Sequence, residues 1–200
     1  MKRVGILGGT FNPIHTGHLI LAEQAMSQFC LDEVMIIPSG VSYFKRGIDI
    51  PKGEIRLKMC ELAVRDNPGF RVTDIEIRRE GNTYTAETLK ELKENEPDTE
   101  FFFLAGADIL HEIGHWKDPQ IIFENCKLIV AVRNNESRDD LKGDMENLKE
   151  RYGADISILN TTNIDISSSM IRKLISEKKS VRYYIPEALR EFILENKIYG

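Results

Sequence analysis

The sequence predicts an α/β fold: a doubly wound parallel sheet with helices on both faces. Short apolar segments with strand character alternate with helical segments along the 200 residues, which is typical of such sheets. Residues 101–105 and 128–132 are apolar throughout, as expected of central strands buried on both faces. Ligands of these sheets bind at the carboxyl ends of the strands, so the residues after each strand are the first candidates for a site.

The chain opens with a strand, a helix and a second strand. The apolar-rich run 2–7 ends at two glycines and predicts a buried strand followed by a turn. Apolar side chains recur at helical spacing over residues 18–29, which predicts the first helix. Residues 33–38 contain Val34, Ile36 and Ile37 and predict the second strand.

A helix, a strand and another helix are predicted next. Residues 54–65 have apolar side chains three to four positions apart and predict a helix. Residues 70–77 alternate imperfectly between apolar and polar side chains and predict a strand, and residues 85–95 are helical by propensity. The apolar residues that indicate the first of these helices are Ile55, Met59, Leu62 and Ala63.

The last part of the chain, after the two central strands, completes the alternation. Residues 140–151 predict a polar helix and residues 156–159 a final strand. Two helices, at residues 168–177 and 187–195, end the chain. The length favours one domain spanning residues 1–200, and no internal repeat divides it.

The composition excludes several classes of function. The 27 basic and 32 acidic side chains give a net charge of −5, which argues against a general nucleic-acid binder. No apolar stretch approaches the roughly 20 residues of a membrane span, and no signal peptide is predicted at the N-terminus. Cys30, Cys60 and Cys126 lack CxxC spacing and predict a reduced, cytoplasmic setting, each as a small buried hydrophobe at the end of an element.

A glycine-rich and histidine-rich segment follows the first strand. It reads GGTFNPIHTGH over residues 8–18. Its glycines allow the backbone to approach a ligand, and the helix that follows offers free N–H groups to a phosphate. His15 and His18 are three residues apart, so both can face one ligand at the helix start. The segment contains neither a GxGxxG nor a Walker A pattern.

A serine-rich segment begins the helix predicted at residues 168–177. It reads ISSSMIR over residues 166–172. The serines alone could be helix caps, while Arg172, one turn into the helix, adds a guanidinium that matches a phosphate. Between the two segments, Thr85 could be a plain N-cap, Asp108 could bind a ribose or cap a helix, and a lone Trp116 is more often a core residue than a stacking platform.

Together these segments resemble the HxGH nucleotidylyltransferase superfamily, and in order and spacing the bacterial nicotinate-nucleotide adenylyltransferases. The resemblance covers nearly all of the chain. It implies a Rossmann-like nucleotidylyltransferase fold whose C-terminal helices, from about residue 167, pack on the nucleotide site. The implied reaction transfers AMP from ATP to nicotinate mononucleotide, giving nicotinate adenine dinucleotide and pyrophosphate in NAD biosynthesis.

The resemblance also implies roles for individual residues. His15, His18 and Arg172 would be catalytic, with His18 nearest the reacting phosphorus. Asn12, Tyr84, Thr85 and Trp116 would bind nicotinate mononucleotide, with the tryptophan stacked on the pyridine ring. The residues that would bind ATP are Gly8, Gly9, Thr10, Phe11, Lys45, Gly106, Asp108, Arg133, Ile166, Ser167 and Ser168.

The resemblance also implies a metal ion and bears on the assembly state. Mg²⁺ would be held mainly by the phosphates of ATP, with no protein side chain as ligand. Such enzymes often form dimers or larger assemblies, so a homo-oligomer is an open expectation. Two alternatives remain: transfer to another acceptor, such as nicotinamide mononucleotide or phosphopantetheine, and a regulatory module that binds ATP without turnover.

A second motif predicts a different chemistry. Residues 111–115 match HExxH, in which two histidines on one helix bind Zn²⁺ and a glutamate acts as the base. The third histidine of the extended metzincin pattern would fall at Ile121, and Gly114 and Pro119 predict that the helix is short. We therefore expect His111 and His115 to be surface residues, with adventitious metal binding left open.

Overall fold

The computed structural model describes residues 1–40, 50–132, 138–162 and 164–200. The strands are β1 (Lys2–Gly9), β2 (Glu33–Pro38), β3 (Phe70–Val72), β4 (Thr99–Gly106), β5 (Lys127–Val132) and β6 (Ile156–Asn160). The helices are α1 (Thr16–Gln28), α2 (Gly53–Val64), α3 (Thr85–Asn95), α4 (Ile109–Glu112), α5 (Pro119–Asn125), α6 (Arg138–Tyr152), α7 (Ser168–Ser176) and α8 (Glu187–Glu195). A 3₁₀ turn spans Ile113–His115.

The strands form one sheet in the order β3-β2-β1-β4-β5-β6. The pairs β1–β4, β4–β5 and β5–β6 are parallel. In this register Val4 lies opposite Phe101, and Leu104 lies opposite Ile129. The order reverses at β1 and β4, as in Rossmann-like folds, and the predicted fold class is confirmed.

The chain divides into two compact units. The first comprises Met1–Leu7, Ala22–Val34 and Tyr84–Asn163. The second comprises Gly8–Leu21, Met35–Thr83 and Ile164–Gly200.

The core of the first unit is formed by β1, β4, β5 and β6 together with α3, α5 and the 3₁₀ turn. Both runs predicted as central strands are almost completely buried, because a parallel strand with neighbours on both sides has no solvent-facing edge. The fully buried large side chains of the first unit are Ile6, Leu89, Phe101, Ile113, Ile122, Leu128, Ile129 and Leu159.

The core of the second unit joins β2 and α2 to the C-terminal helices. Helices α7 and α8 are amphipathic and bury Ile171 and Ile175, and Leu189 and Ile193, respectively. Helix α8 packs on α2. Met35, Ile36 and Met59 are fully buried in this unit.

The strand predicted at residues 70–77 is too long. Strand β3 ends at Val72, and residues 75–77 form a turn. The Thr73 hydroxyl accepts the N–H of Ile75, and the Arg78 N–H donates to Asp74, so local hydrogen bonds replace the ladder. Ile75 is still 2% exposed, so its apolar character fits a buried turn as well as a strand.

The buried face of α2 only partly coincides with its apolar residues. The structure buries Arg56, Met59, Cys60 and Val64, whereas Ile55 is half-buried. A guanidinium is seldom buried, so a pattern read from apolar residues alone misses the face on which Arg56 lies.

One short helix and one cysteine also differ from what the sequence predicted. Helix α5 was not predicted, although Pro119 at its first position is a recognised start signal. Cys60 and Cys126 are buried as expected, but Cys30, which follows α1 with φ 48°, is exposed. In the part of the chain that the structure describes, no helix is long and apolar enough to cross a membrane.

Candidate active site

The loop after β1 turns sharply at Phe11. This residue has φ 48° and is only 3% exposed. A Cβ atom at Gly9 would lie 3.2 Å from the Phe11 ring, so glycine leaves the space in which the ring packs against the strand end. The next residue, Asn12, is also buried, and its Oδ1 has no hydrogen-bond partner among the described residues.

His15 and His18 form a stacked pair at the start of α1. Their ring centroids are 3.6 Å apart, with an angle of 25° between the planes. The Phe11 ring meets His18 edge-on at 5.2 Å. A Cβ atom at Gly17 would lie 3.1 Å from Nδ1 of His15, which explains why a glycine separates the two histidines.

A backbone hydrogen bond selects the tautomer of His18. The N–H of His15 donates to Nδ1 of His18 at 3.2 Å. Because Nδ1 accepts, the proton of the neutral ring is on Nε2. His18 is the third residue of α1 and reaches back to the residue that precedes the helix, as in one half of a capping box.

Both imidazoles are neutral at physiological pH. Burial lowers the pKa of His15 to about 4. Burial, together with the charge of His15, lowers the pKa of His18 to about 3. The pair therefore offers neutral N–H donors rather than positive charges.

The first turn of α7 is tied to the same loop. Ser167 is the N-cap of the helix and accepts the N–H of Met170 at 3.2 Å. Ser168 Oγ donates to the Pro13 carbonyl at 2.8 Å, and Arg172 Nη1 donates to the Asn12 carbonyl at 2.7 Å. The capping interpretation of the serines is thus confirmed for Ser167, while Ser168 and Arg172 fix the loop.

These residues enclose a cavity of about 280 Å³. Its lining, among the described residues, is Gly9, Thr10, Phe11, Asn12, His18, Ile50, Ser168 and Arg172. Seven of the eight were predicted as site residues, and only Ile50 was not. The other described residues of this unit that were predicted for the site do not line the cavity: Gly8, His15, Ile166 and Ser167. The ring of His15 stacks on that of His18, and its Nδ1 is buried and unpaired among the described atoms.

Arg56 is a residue that the sequence analysis missed. It is 4% exposed, and its guanidinium donates to the carbonyls of Thr10, Ser39, Gly40 and Pro51 at 2.6–3.5 Å. The nearest sequence signal is its place on the face of α2 that also contains Met59, Cys60 and Val64.

The first unit contains another part of the predicted site, at the carboxyl end of β4. The Asp108 side chain is exposed and folds back over Gly106, where a Cβ atom would lie 2.7 Å from its Oδ1. Trp116 is half-buried, and its ring meets Phe103 edge-on at 6.4 Å. The indole is therefore neither a fully buried core residue nor a free surface group.

Tyr84 and Thr85 lie at the start of α3. Tyr84, not Thr85, is the N-cap, and its side chain makes no hydrogen bond to the helix, so the alternative in which Thr85 is a plain N-cap does not hold. Lys117, next to Trp116, lies 4.2 Å from the centre of the Tyr84 ring and forms an ion pair with Glu87. The tryptophan segment and the start of α3 thus meet within this unit.

The HExxH motif does not lie on one helix. His111 is in α4, whereas His115 is in the 3₁₀ turn that follows. Both side chains are exposed, and Nδ1 of His111 lies 2.8 Å from Asp144. Among the residues that the structure describes, no three His, Cys, Asp or Glu side chains are grouped as metal ligands. Lys45 and Arg133, the remaining predicted site residues, lie outside the described residues.

Comparisons with known proteins agree on the family. A family model described as cytidylyltransferase-like matches residues 6–174. A protein of Lachnoclostridium phytofermentans named probable nicotinate-nucleotide adenylyltransferase is 43% identical over 199 residues, covering 100% of both chains. One of the same name from Clostridium botulinum is 39% identical and covers 100% of this chain and 98% of its own.

A solved structure has the same fold. The nicotinic acid mononucleotide adenylyltransferase of Plasmodium falciparum, in complex with NaAD, superposes with a TM-score of 0.78, covering 100% of this chain and 98% of that one. At 18% identity this similarity concerns the fold alone. On the strength of the full-length relatives, the chain belongs to the nicotinate-nucleotide adenylyltransferase family.

Proposed function

We propose that the protein transfers AMP from ATP to nicotinate mononucleotide, and that the cavity between the β1–α1 loop and α7 holds the phosphates that react. The full-length relatives carry the name of this reaction. The observation that carries the assignment of the cavity is that His18, whose proton is fixed on Nε2, and Arg172 line the same cavity.

The reaction needs positioning more than acid–base chemistry. An oxygen of the acceptor's 5′-phosphate attacks the α-phosphorus of ATP in line, a new P–O bond forms, and the bond to the β-phosphate oxygen breaks. The attacking oxygen is already an anion and the leaving pyrophosphate takes the electron pair. No proton must be removed, so alignment and charge stabilisation supply the rate enhancement.

His18 would donate from Nε2 to an oxygen of the α-phosphoryl group. A neutral donor suits this position, because its hydrogen bond strengthens as negative charge develops and its proton is not transferred. The backbone bond to Nδ1 holds the ring in place, so little reorganisation is needed during the reaction.

Arg172 and the start of α7 would stabilise the departing pyrophosphate. The guanidinium supplies charge-assisted hydrogen bonds, and the free N–H groups of the helix add a positive dipole end. The family resemblance adds His15 and Lys45 to this group, and Gly8, Gly9, Ile166, Ser167 and Ser168 to the nucleotide site.

The resemblance also supports an acceptor site in the first unit. Trp116 would stack on the pyridine ring, while Tyr84 and Thr85 would meet the carboxylate through backbone N–H groups at the start of α3. Asn12 would face the mononucleotide from the loop. Gly106, Asp108 and Arg133 would contact the ribose and adenine of ATP.

Mg²⁺ would enter with ATP, held by phosphate oxygens. The chemistry of the cavity fits such a complex, because the buried, unpaired Oδ1 of Asn12 can accept a hydrogen bond from a water of the hydrated ion. When bound, the ion neutralises part of the triphosphate charge. A reaction that consumes ATP fits the cytoplasmic setting predicted from the cysteines.

Pyrophosphate release tests the proposal. The protein is incubated with ATP and Mg²⁺ and, in parallel, with nicotinate mononucleotide, nicotinamide mononucleotide or phosphopantetheine. We expect release with the first acceptor alone. Release with nicotinamide mononucleotide as well would contradict the role given to Thr85, and release only with phosphopantetheine would contradict the assignment of the acceptor. If none of the three acceptors gives pyrophosphate release, although the protein is folded and binds ATP, the regulatory module would be favoured.

A further inference from the structure

Arg56 is a buried cation at the back of the candidate site. It does not line the cavity, but its Nη1 donates to the Thr10 carbonyl at 2.8 Å, and Thr10 does line it. The guanidinium stays protonated in proteins even when buried, so it keeps a full positive charge one peptide group away from the cavity.

The remaining bonds of Arg56 hold the neighbouring backbone. Nη2 donates to the Ser39 carbonyl at 2.6 Å and to that of Gly40 at 3.5 Å, and Nε donates to that of Pro51 at 3.1 Å. The Ser39 N–H in turn donates to the Gly9 carbonyl at 2.8 Å. One side chain therefore connects the chain after β1, the chain after β2 and the approach to α2.

The bond to Thr10 sets the orientation of one peptide group. In a planar trans peptide the N–H and the C=O point in opposite directions. The Thr10 carbonyl is directed at Arg56, so the N–H of Phe11 is directed away from it. Thr10 and Phe11 both line the cavity, which makes this peptide part of its wall.

We infer that Arg56 is a positioning residue for adenylyl transfer, which orients the Thr10–Phe11 peptide so that its N–H serves a phosphate of ATP and its carbonyl oxygen does not. This inference rests on the proposed function. A carbonyl oxygen facing a triphosphate would repel it, whereas a carbonyl turned to a guanidinium leaves the positive end of the peptide dipole for the anion.

The test compares two variants of the same helix. Arg56→Lys keeps a positive charge but has no planar fork and cannot reach all four carbonyls. Val64→Ala removes two methyl groups from the buried face of α2 at the opposite end of the helix from Arg56. It is the control for lost stability, and both variants are assayed well below their melting temperatures.

For Arg56→Lys we expect kcat to fall roughly 10- to 100-fold, because small misplacements of an anion-binding group have effects of this size. The KM for ATP should rise about tenfold, while the KM for nicotinate mononucleotide stays within about twofold. Val64→Ala should melt at a lower temperature with all three constants within about twofold of the wild type. An Arg56→Lys enzyme that behaves like Val64→Ala would overturn the inference.

A measurement on the unaltered protein covers the case in which Arg56→Lys does not fold. Amide resonances of ¹⁵N-labelled protein are followed while α,β-methylene-ATP, which cannot transfer AMP, is added. The Phe11 amide should be among the most strongly shifted, and an unshifted Phe11 amide would refute the inference. If the wild type releases no pyrophosphate with any acceptor, the proposed function fails, while this titration still shows whether the Phe11 N–H meets the phosphates of a bound nucleotide.

Discussion

The two nitrogens of His18 can be tested separately by substitution. Nδ1 accepts the His15 N–H, whereas Nε2 carries the proton and, under the proposed function, donates to the α-phosphoryl group. In His18→Asn the amide oxygen can replace Nδ1, but nothing replaces Nε2. In His18→Gln the amide nitrogen can reach the position of Nε2, but the bond to the His15 N–H is lost.

Each loss has a characteristic magnitude. Removing one donor that stabilises developing charge lowers kcat roughly 10²- to 10³-fold. Removing a side chain that satisfies a free N–H at a helix start costs about 0.5–2 kcal/mol of stability. For a chain of 200 residues this corresponds to a melting temperature lower by roughly 2–4 °C per kcal/mol. We therefore expect His18→Asn to be stable but slow, and His18→Gln to be less stable but faster than His18→Asn.

The assay measures pyrophosphate release at saturating ATP and acceptor, with melting temperatures determined by circular dichroism on the same preparations. The opposite ranking of the two variants in turnover and in stability is the distinctive result. Wild-type turnover in His18→Asn would refute the donor role of Nε2. Equal turnover in the two variants would refute the argument from the tautomer.

Three further predictions follow from the site. The pKa values of His15 and His18 in the folded chain, about 4 and about 3, lie below the unfolded value of 6.5. The free energy of unfolding should therefore fall as the pH drops from 6.5 towards 4. Equal free energies from urea unfolding at pH 7 and pH 5 would contradict this. Arg172→Lys, which loses the guanidinium whose Nη1 donates to the Asn12 carbonyl, should lower kcat/KM roughly 10- to 100-fold. Lys173→Ala, at a side chain 75% exposed, should leave kcat/KM unchanged, and similar losses in both variants would show that the effect is not specific to Arg172. Trp116→Ala should raise the KM for nicotinate mononucleotide roughly tenfold with little change in the KM for ATP, because the stacking contact is lost. If steady-state kinetics show the reverse, the indole belongs to the ATP site.

The sequence contained most of the information on the fold. The alternation of apolar strands with amphipathic helices predicts a parallel sheet, and the elements at residues 33–38 and 187–195 are placed at their observed limits. The errors occur where local pattern is ambiguous. Ile75 and Ile77 fit a strand as well as a turn, and only the hydrogen bonds of Thr73 and Asp74 decide between them.

The sequence also predicted most of the candidate site, because the HxGH and serine-rich segments are each local. Seven of the eight residues that line the cavity come from these two segments. What it could not predict is how the segments hold one another. The bonds from Ser168 to Pro13 and from Arg172 to Asn12 join residues more than 150 positions apart, so no local pattern records them.

By itself the sequence determined the fold class, the family and the residue types available for binding phosphates, since these depend on periodicity and on short motifs. The tertiary structure alone decided which nitrogen of His18 carries the proton, that both histidines are neutral, and that Arg56 is buried behind Thr10. The physical reason is that tautomer, pKa and burial depend on the atoms surrounding a group, and folding brings those atoms together from distant parts of the chain.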